Sequence, residues 1–365
     1  MMNFSSCLVL SICFVVLVVF CNETKVAFAQ QSNYITWDDL IVVNNGDGFR
    51  LRDEVSERRV IVVAKNGGGD SATVQGAVDM VPENNTKRVK IHILPGVYSE
   101  KVHIPASKPY ISFIGDPDQA SGTVITWHDR ASDRENNGNM VGTWNSASVT
   151  VESDYFCASW ITFQNSVNDR TFEGDQAVAF RLAGDKSMFY KARFLGAQDT
   201  LLDETGTHFF LRCFIQGSVD FIFGYARSLY QECTISVVEN PYAITAHSRS
   251  SAEDDTGYSF VNCTVTGNGP VYLGRAWGDY SRVIFSYSEF DIDIIPEGWS
   301  DWGIPSRDKY KMSLLLIKVL FGEYQCKGRG ANRSGRVGWS KELSHMEVKP
   351  YLDSRFISGG LWLRL

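Results

Sequence analysis

The sequence predicts an all-β chain built from many short strands, and three observations carry that expectation. Short β-rich runs recur from Arg88 to about Glu289 with Gly, Asn and Asp between them, and few long helical patterns interrupt them. Apolar residues make up 44% and aromatic residues 13% of 365 positions, enough for a large core and unlike a disordered or collagen-like chain. Similar residues return at an interval near 20: Gln176 to Gln198 is 22 residues, Asp199 to Asp220 is 21, and Cys213 to Cys233 is 20. A period of that length holding several short strands is what one coil of a parallel β-helix needs, with equivalent side chains stacked about 4.8 Å apart. Three pairs leave a sandwich or a barrel open beside the solenoid.

Taken in order, the first 29 residues read as a signal peptide. The run 7–20 is apolar or small throughout, and Ala27-Phe28-Ala29 forms an A-x-A cleavage site before Gln30. No Lys or Arg precedes the run, so an uncleaved anchor is the competing reading. Its 14 residues fall short of the about 20 that a membrane span needs. No second run approaches that length, and a soluble, secreted protein of the extracellular space is expected. Residues 30–58 form a polar lead-in with one apolar patch, 40–43, and the main domain is placed at 59–365 with no large pro-domain ahead of it. Arg59 opens a strand to Ala64. Gly67-Gly68-Gly69-Asp70 is a loop that lacks the Lys and the spacing of a P-loop. Ser71 is the expected cap of a helix reaching about Val81, with Val74, Ala77, Val78 and Val81 on one face. Strands follow over 89–94, 110–114, 124–127, 148–151, 158–163, 177–182, 187–194, 207–214, 219–223, 228–237, 258–265, 271–273 and 283–287.

Composition excludes some functions. The formal net charge is −7 and no basic stripe stands out, which argues against nucleic acid and leaves any polyanionic substrate dependent on local positive charge. Of eight cysteines, three lie in the signal segment; Cys157, Cys213, Cys233, Cys263 and Cys326 remain, an odd number. No CxxC or Cys/His cluster suggests zinc, and the six histidines are scattered. Export and the 20-residue spacing predict Cys213, Cys233 and Cys263 on successive coils with one disulfide, Cys233–Cys263 or Cys213–Cys233, and Cys157 unpaired. Asn84-Asn85-Thr86, Asn262-Cys263-Thr264 and Asn332-Arg333-Ser334 are glycosylation acceptors.

If the coils stack, Gln176 lies near Gln198 and Asp199 near Asp220. Neighbouring carboxyls push their proton affinities apart, so one serves as an acid while the other stays ionised. Two amides beside them can hold an oxyanion. Each residue alone is as well read as a turn residue or part of an amide ladder.

The local strings add to this. Gly96-Val97-Tyr98-Ser99-Glu100, Gln176-Ala177-Val178-Ala179-Phe180-Arg181, Gly196-Ala197-Gln198-Asp199-Thr200-Leu201, Asp220-Phe221-Ile222-Phe223-Gly224 and Leu273-Gly274-Arg275-Ala276-Trp277 occur in this order. With Gly298-Trp299-Ser300-Asp301-Trp302 and Phe321-Gly322-Glu323-Tyr324, they resemble the plant branch of the pectinesterase family, the type lacking an N-terminal inhibitor-like pro-region, from about Ile61 to the C-terminus. The resemblance implies a right-handed, single-stranded parallel β-helix of the pectin lyase-like kind. It also implies hydrolysis of polygalacturonate methyl esters to pectate and methanol during cell wall modification, without metal or cofactor. The family's nucleophile falls on Asp220, its acid/base on Asp199, its oxyanion-holding glutamines on Gln198 and Gln176, and the nucleophile's arginine on Arg275. Substrate contacts fall on Trp277, Phe223, Gln176 and Arg275. Pectin is the expected partner, with a proteinaceous pectinesterase inhibitor as a second, no membrane and a monomeric state.

Three departures stand out. Ala276 takes the place of a Pro common in relatives, Tyr225 replaces a small polar residue, and residues 308–320 form a longer stretch that reads as an insertion with no β-helix role. The rivals are a wall-binding relative with little activity and a β-helix lyase or glycosidase. A Ser-His-Asp esterase lacks its G-x-S-x-G elbow here.

Overall fold

The computed structural model describes residues 34–42, 59–119, 121–167, 176–239, 241–302 and 318–365. The signal-peptide reading, most of the lead-in and residues 308–317 of the insertion lie outside the described residues. Among the described residues the strands pair in parallel and form three long sheets. Sheet 1 has eleven strands, from Arg59–Val63 to Lys341–Glu342; sheet 2 has eight, from Gly96–Ser99 to Glu289–Asp291; sheet 3 has eight, from Val102–Ile104 to Trp299–Ser300. From Val89 onward the chain visits sheets 1, 2 and 3 in turn and then returns to sheet 1 one coil further on. That is a parallel β-helix, which excludes the sandwich and the barrel.

The corner between sheets 1 and 2 explains why the sequence suggested fewer, longer strands. The expected 187–194 is two strands, Ser187–Tyr190 and Arg193–Leu195; 207–214 and 228–237 split likewise. Trp160, Lys191, Arg212, Glu232, Asn262 and Tyr287 turn these corners, each with φ between 50° and 54°. A single left-handed residue bends the chain from one sheet into the next without any Gly or Pro to mark the break.

Inside the helix, identical register stacks like on like. Phe189, Phe210, Tyr230, Phe260 and Phe285 are successive cross-strand partners, with ring centroids 4.7, 4.5, 4.6 and 4.5 Å apart. Cys213, Cys233 and Cys263 stack next to the corner as expected, but no disulfide forms: all five cysteines of the domain are free thiols. In-register side chains run parallel about 4.8 Å apart, wider than the 3.5–4.5 Å between the Cβ atoms of a disulfide. Each thiol instead lies against a carbonyl one coil earlier, Cys233 on Phe210 and Cys263 on Tyr230, both at 3.4 Å.

Further expectations are corrected at the ends. The helix spans Val74–Asp79 with Thr73 as its cap, accepting from the Gly76 amide; Ser71 instead bridges Val63 in the sheet. Val74, Ala77, Val78 and Val81 are buried as foreseen. Sheet 1 opens at Arg59, and the compact unit extends back to Ile35 in the lead-in. Ile35–Thr36 pairs with Leu363–Arg364, and Ile35 and Leu40 are buried with Met188, Leu229 and Trp362. The end of the presumed insertion is part of the helix, since Leu320–Tyr324 pairs with Arg282–Ser286 and Val319 packs on the core. No described helix is long and apolar enough to cross a membrane.

Candidate active site

Two acids collect at the corner between sheets 2 and 3. Gln198 bridges Val219 on the next coil, and the Asp199 amide donates to the Val219 carbonyl at 3.0 Å. Asp199 and Asp220 therefore hold the same corner position on successive coils. Both adopt left-handed backbone, φ 62° and 49°, which aspartate tolerates better than most residues at a cost on the order of 1–3 kcal/mol each. The residues that follow, Thr200 and Phe221, are wholly buried. Gly217 has no room for a side chain, because an added Cβ would lie 2.1 Å from Phe221 Cβ.

Arg275 reaches the acids from the outward row of sheet 3. Arg181, Leu202, Phe223, Ala246, Arg275 and Ser300 are consecutive cross-strand partners in that row. Leu202, Phe223 and Ala246 form its apolar floor, with Trp302 packed against them. Arg275 Nε donates to both Asp220 carboxylate oxygens, at 2.8 and 2.9 Å, and Nη2 also contacts Oδ2. Such a fork fixes a carboxylate in direction as well as charge. Ala276 ends the strand buried, paired with His247, so the missing Pro does not detach Arg275 from the sheet.

The two carboxyls differ electrostatically. Burial pushes Asp199 well above the usual carboxylate range and the Asp220 charge pushes it the same way, with Arg275 opposing. Burial also raises Asp220, but the hydrogen bonds and charge of Arg275 pull it back. The first shared proton therefore belongs on Asp199.

The remaining expected residues surround this pair. The Ala177 amide donates to the Gln198 carbonyl at 3.2 Å, setting the coil of Gln176 against that of Gln198. Among the described residues neither glutamine side chain makes a hydrogen bond, so both amides are available as donors. Trp277 is 37% exposed and its ring faces Phe223 at 6.2 Å. Two residues the sequence reading gave no role complete the wall. Trp302 lies under the Arg275 guanidinium at 3.6 Å and nearly parallel to Trp277, with ring centroids 6.5 Å apart. Tyr242 faces Arg275 at 5.1 Å and hydrogen-bonds Ser300. Trp302 sits inside a quoted motif, which was its one signal; Tyr242 has none.

An arginine-held carboxylate beside an acid whose proton affinity is raised by burial and by that carboxylate, with two amide donors and flat apolar walls, is a set suited to acyl transfer on an ester. The comparisons with known proteins make the chain a β-helical carboxylic ester hydrolase. The sequence model described as Pectinesterase matches residues 60–360. The chain is 55% identical to pectinesterase QRT1 of Arabidopsis thaliana, covering 91% of this chain and 90% of that protein. It is 42% identical to probable pectinesterase 8 of the same plant, over 83% of this chain and 76% of the other. Among solved structures, the pectin methylesterase from carrot superposes with a TM-score of 0.72 at 36% identity, over 83% of this chain and 94% of that one. A pectin methylesterase from Aspergillus niger gives 0.69 at 28% identity, over 83% and 94%. The chain belongs to the pectinesterase family, plant branch, with its right-handed parallel β-helix.

Proposed function

We propose that the protein is a secreted pectin methylesterase that converts methyl-esterified polygalacturonate to pectate and methanol in the cell wall. The observation that supports this most is the asymmetry of the acid pair: Asp220 is gripped by Arg275, and among the described residues no cation pairs with Asp199. An Asp220 oxygen attacks the ester carbonyl carbon. The amides of Gln176 and Gln198 donate to the oxyanion. Collapse breaks the bond to the methoxy oxygen, which takes its proton from Asp199 and leaves as methanol. The galacturonyl group is then joined to Asp220 as an anhydride. Asp199, now ionised, takes a proton from water as its oxygen attacks the galacturonyl carbon; pectate leaves and both acids return to their starting states. Trp277, Trp302, Tyr242 and Phe223 offer ring faces to the sugars. Export rests on the N-terminal run and A-x-A site, and glycosylation is proposed at Asn84, Asn262 and Asn332, all exposed. The test is methanol release from esterified pectin by the purified protein, with and without a calcium chelator. Chelator-insensitive release that Asp220→Asn removes supports the reading; an ultraviolet-absorbing unsaturated product or new reducing ends would overturn it.

A further inference from the structure

A second cavity, of about 440 Å³, lies where the C-terminal segment crosses the entry to sheet 1. Its lining includes Arg227, Arg282, Lys349 and Arg355, the aromatic rings of Tyr351 and Phe356, and a single acid, Asp255. Arg355 is matched bidentately by Asp353. Arg227 and Arg282 share Asp255, at 2.5 and 3.6 Å, and that carboxylate is 65% exposed. The Nε of each of these two arginines is buried without a hydrogen-bond partner among the described residues. Lys349 has no ion pair among the described residues. Burial pulls the Arg227 guanidinium below its ordinary value, Asp255 opposes this, and Arg282 adds to it. Three cations thus face one acid, in a chain whose net charge is −7. Positive charge concentrated against a low-dielectric wall recruits an anion, and guanidiniums select planar carboxylates. Arg227 lies over Phe356 at 5.3 Å and Arg282 over Tyr351 at 5.9 Å, so the charges sit beside flat apolar surfaces of the kind sugar rings cover.

We propose that this cavity is a binding site, apart from the catalytic groove, for a carboxylate-bearing saccharide: the de-esterified galacturonate that the proposed reaction generates. The identity of the ligand rests on the esterase reading; the binding itself requires no turnover. Occupied in this way, the cavity anchors the enzyme on stretches already de-esterified while the groove works on neighbouring esters.

The experiment titrates the full-length protein with trigalacturonate, with its fully methyl-esterified counterpart and with inorganic phosphate, by calorimetry. The acid form is expected to bind saturably, to keep this binding in Trp277→Ala, and to lose about tenfold in affinity in Arg282→Gln/Lys349→Gln, the scale of a lost hydrogen bond to a charged group. Should Arg282→Gln fail to fold, Lys349→Glu alone carries the test. The same variants should release methanol normally from short esterified oligomers and show a raised KM on long, partly de-esterified pectin. Equal binding of the esterified trimer, displacement by equimolar phosphate, or binding lost in Trp277→Ala but kept in the pocket variants would overturn the proposal. If no methanol is released but trigalacturonate binds as expected, the esterase reading fails and the site stands.

Discussion

Asp199 and Asp203 lie four residues apart on one coil and have opposite fates. Asp203 points inward from the strand Leu201–Asp203 and is completely buried, with both oxygens engaged. His208 Nδ1 lies 2.5 Å from Oδ1, and the Tyr230 hydroxyl donates to Oδ2 at 2.7 Å. His208 Nε2 donates to the Gly184 carbonyl at 2.8 Å. Asp199 is buried almost as deeply, at 8% exposure, yet no hydrogen bond to its carboxyl exists among the described residues. Saturated hydrogen bonding makes the first acid a strut, and unspent valence beside a second carboxylate makes the other available for chemistry. Residue type and depth do not distinguish them; partners do.

The largest effect should come from Asp220→Asn. An amide cannot form the acyl intermediate, so methanol release should vanish while the thermal unfolding profile is kept; near-normal turnover would break the contrast outright. Asp199→Asn should follow, cutting kcat by about 10²–10⁴-fold, the usual worth of a positioned acid. The same change should stabilise the protein. The folded Asp199 holds its proton above the ordinary carboxyl range, whereas the unfolded chain releases it near an ordinary pKa of about 3.9. Raising the pH through that window therefore costs the wild type stability that Asn does not lose. The variant's Tm advantage should be absent below the window and grow through it; a variant that melts lower at neutral pH would show Asp199 to be a strut as well.

Gln198→Ala should cost roughly 10²–10³-fold in kcat if its amide holds the oxyanion. Asp203→Asn should behave in the opposite manner. It breaks a fully buried network, a loss on the order of 3 kcal/mol in urea denaturation, while the activity of the molecules that remain folded is unchanged. A loss of turnover without a loss of stability would move Asp203 to the chemical side of the comparison.

The site was far more legible in the sequence than the strut. Gln176 and Gln198, like Asp199 and Asp220, are carried by strings spaced one coil apart, so the period that builds the helix also aligns the acids; Arg275 lies two coils beyond Asp220 and was legible only through its motif. Asp203, His208 and Tyr230 follow no motif, and their union depends on which residues of sheets 1 and 3 point inward. The corners were misread because Trp160, Lys191 and Arg212 adopt left-handed backbone that their side chains do not advertise. The disulfide was misread because proximity on successive coils brings thiols together without aiming them at each other. Trp302 lay in a recognised segment, but only the return of the chain to the Arg275 coil gives it a ring face to share.

The smallest effect expected is a displacement of the pH profile, and it bears directly on what separates the two acids of the pair. In the proposed mechanism turnover needs Asp220 ionised and Asp199 protonated, so activity should fall on the acid side as Asp220 takes up a proton and on the alkaline side as Asp199 loses one. Burial raises Asp220, and Arg275 alone opposes it, through a fork of hydrogen bonds as well as through charge. Arg275→Lys retains the charge but replaces the fork with a flexible point donor. The opposing pull weakens, Asp220 titrates at a higher pH, and the acid limb of kcat/KM should move upward by about one unit, the equivalent of one hydrogen bond to a charged group. The alkaline limb should move less, because burial and Asp220, not Arg275, dominate the state of Asp199. An acid limb that stays in place or moves to lower pH would mean that the guanidinium serves only to aim Asp220 and does not hold it ionised.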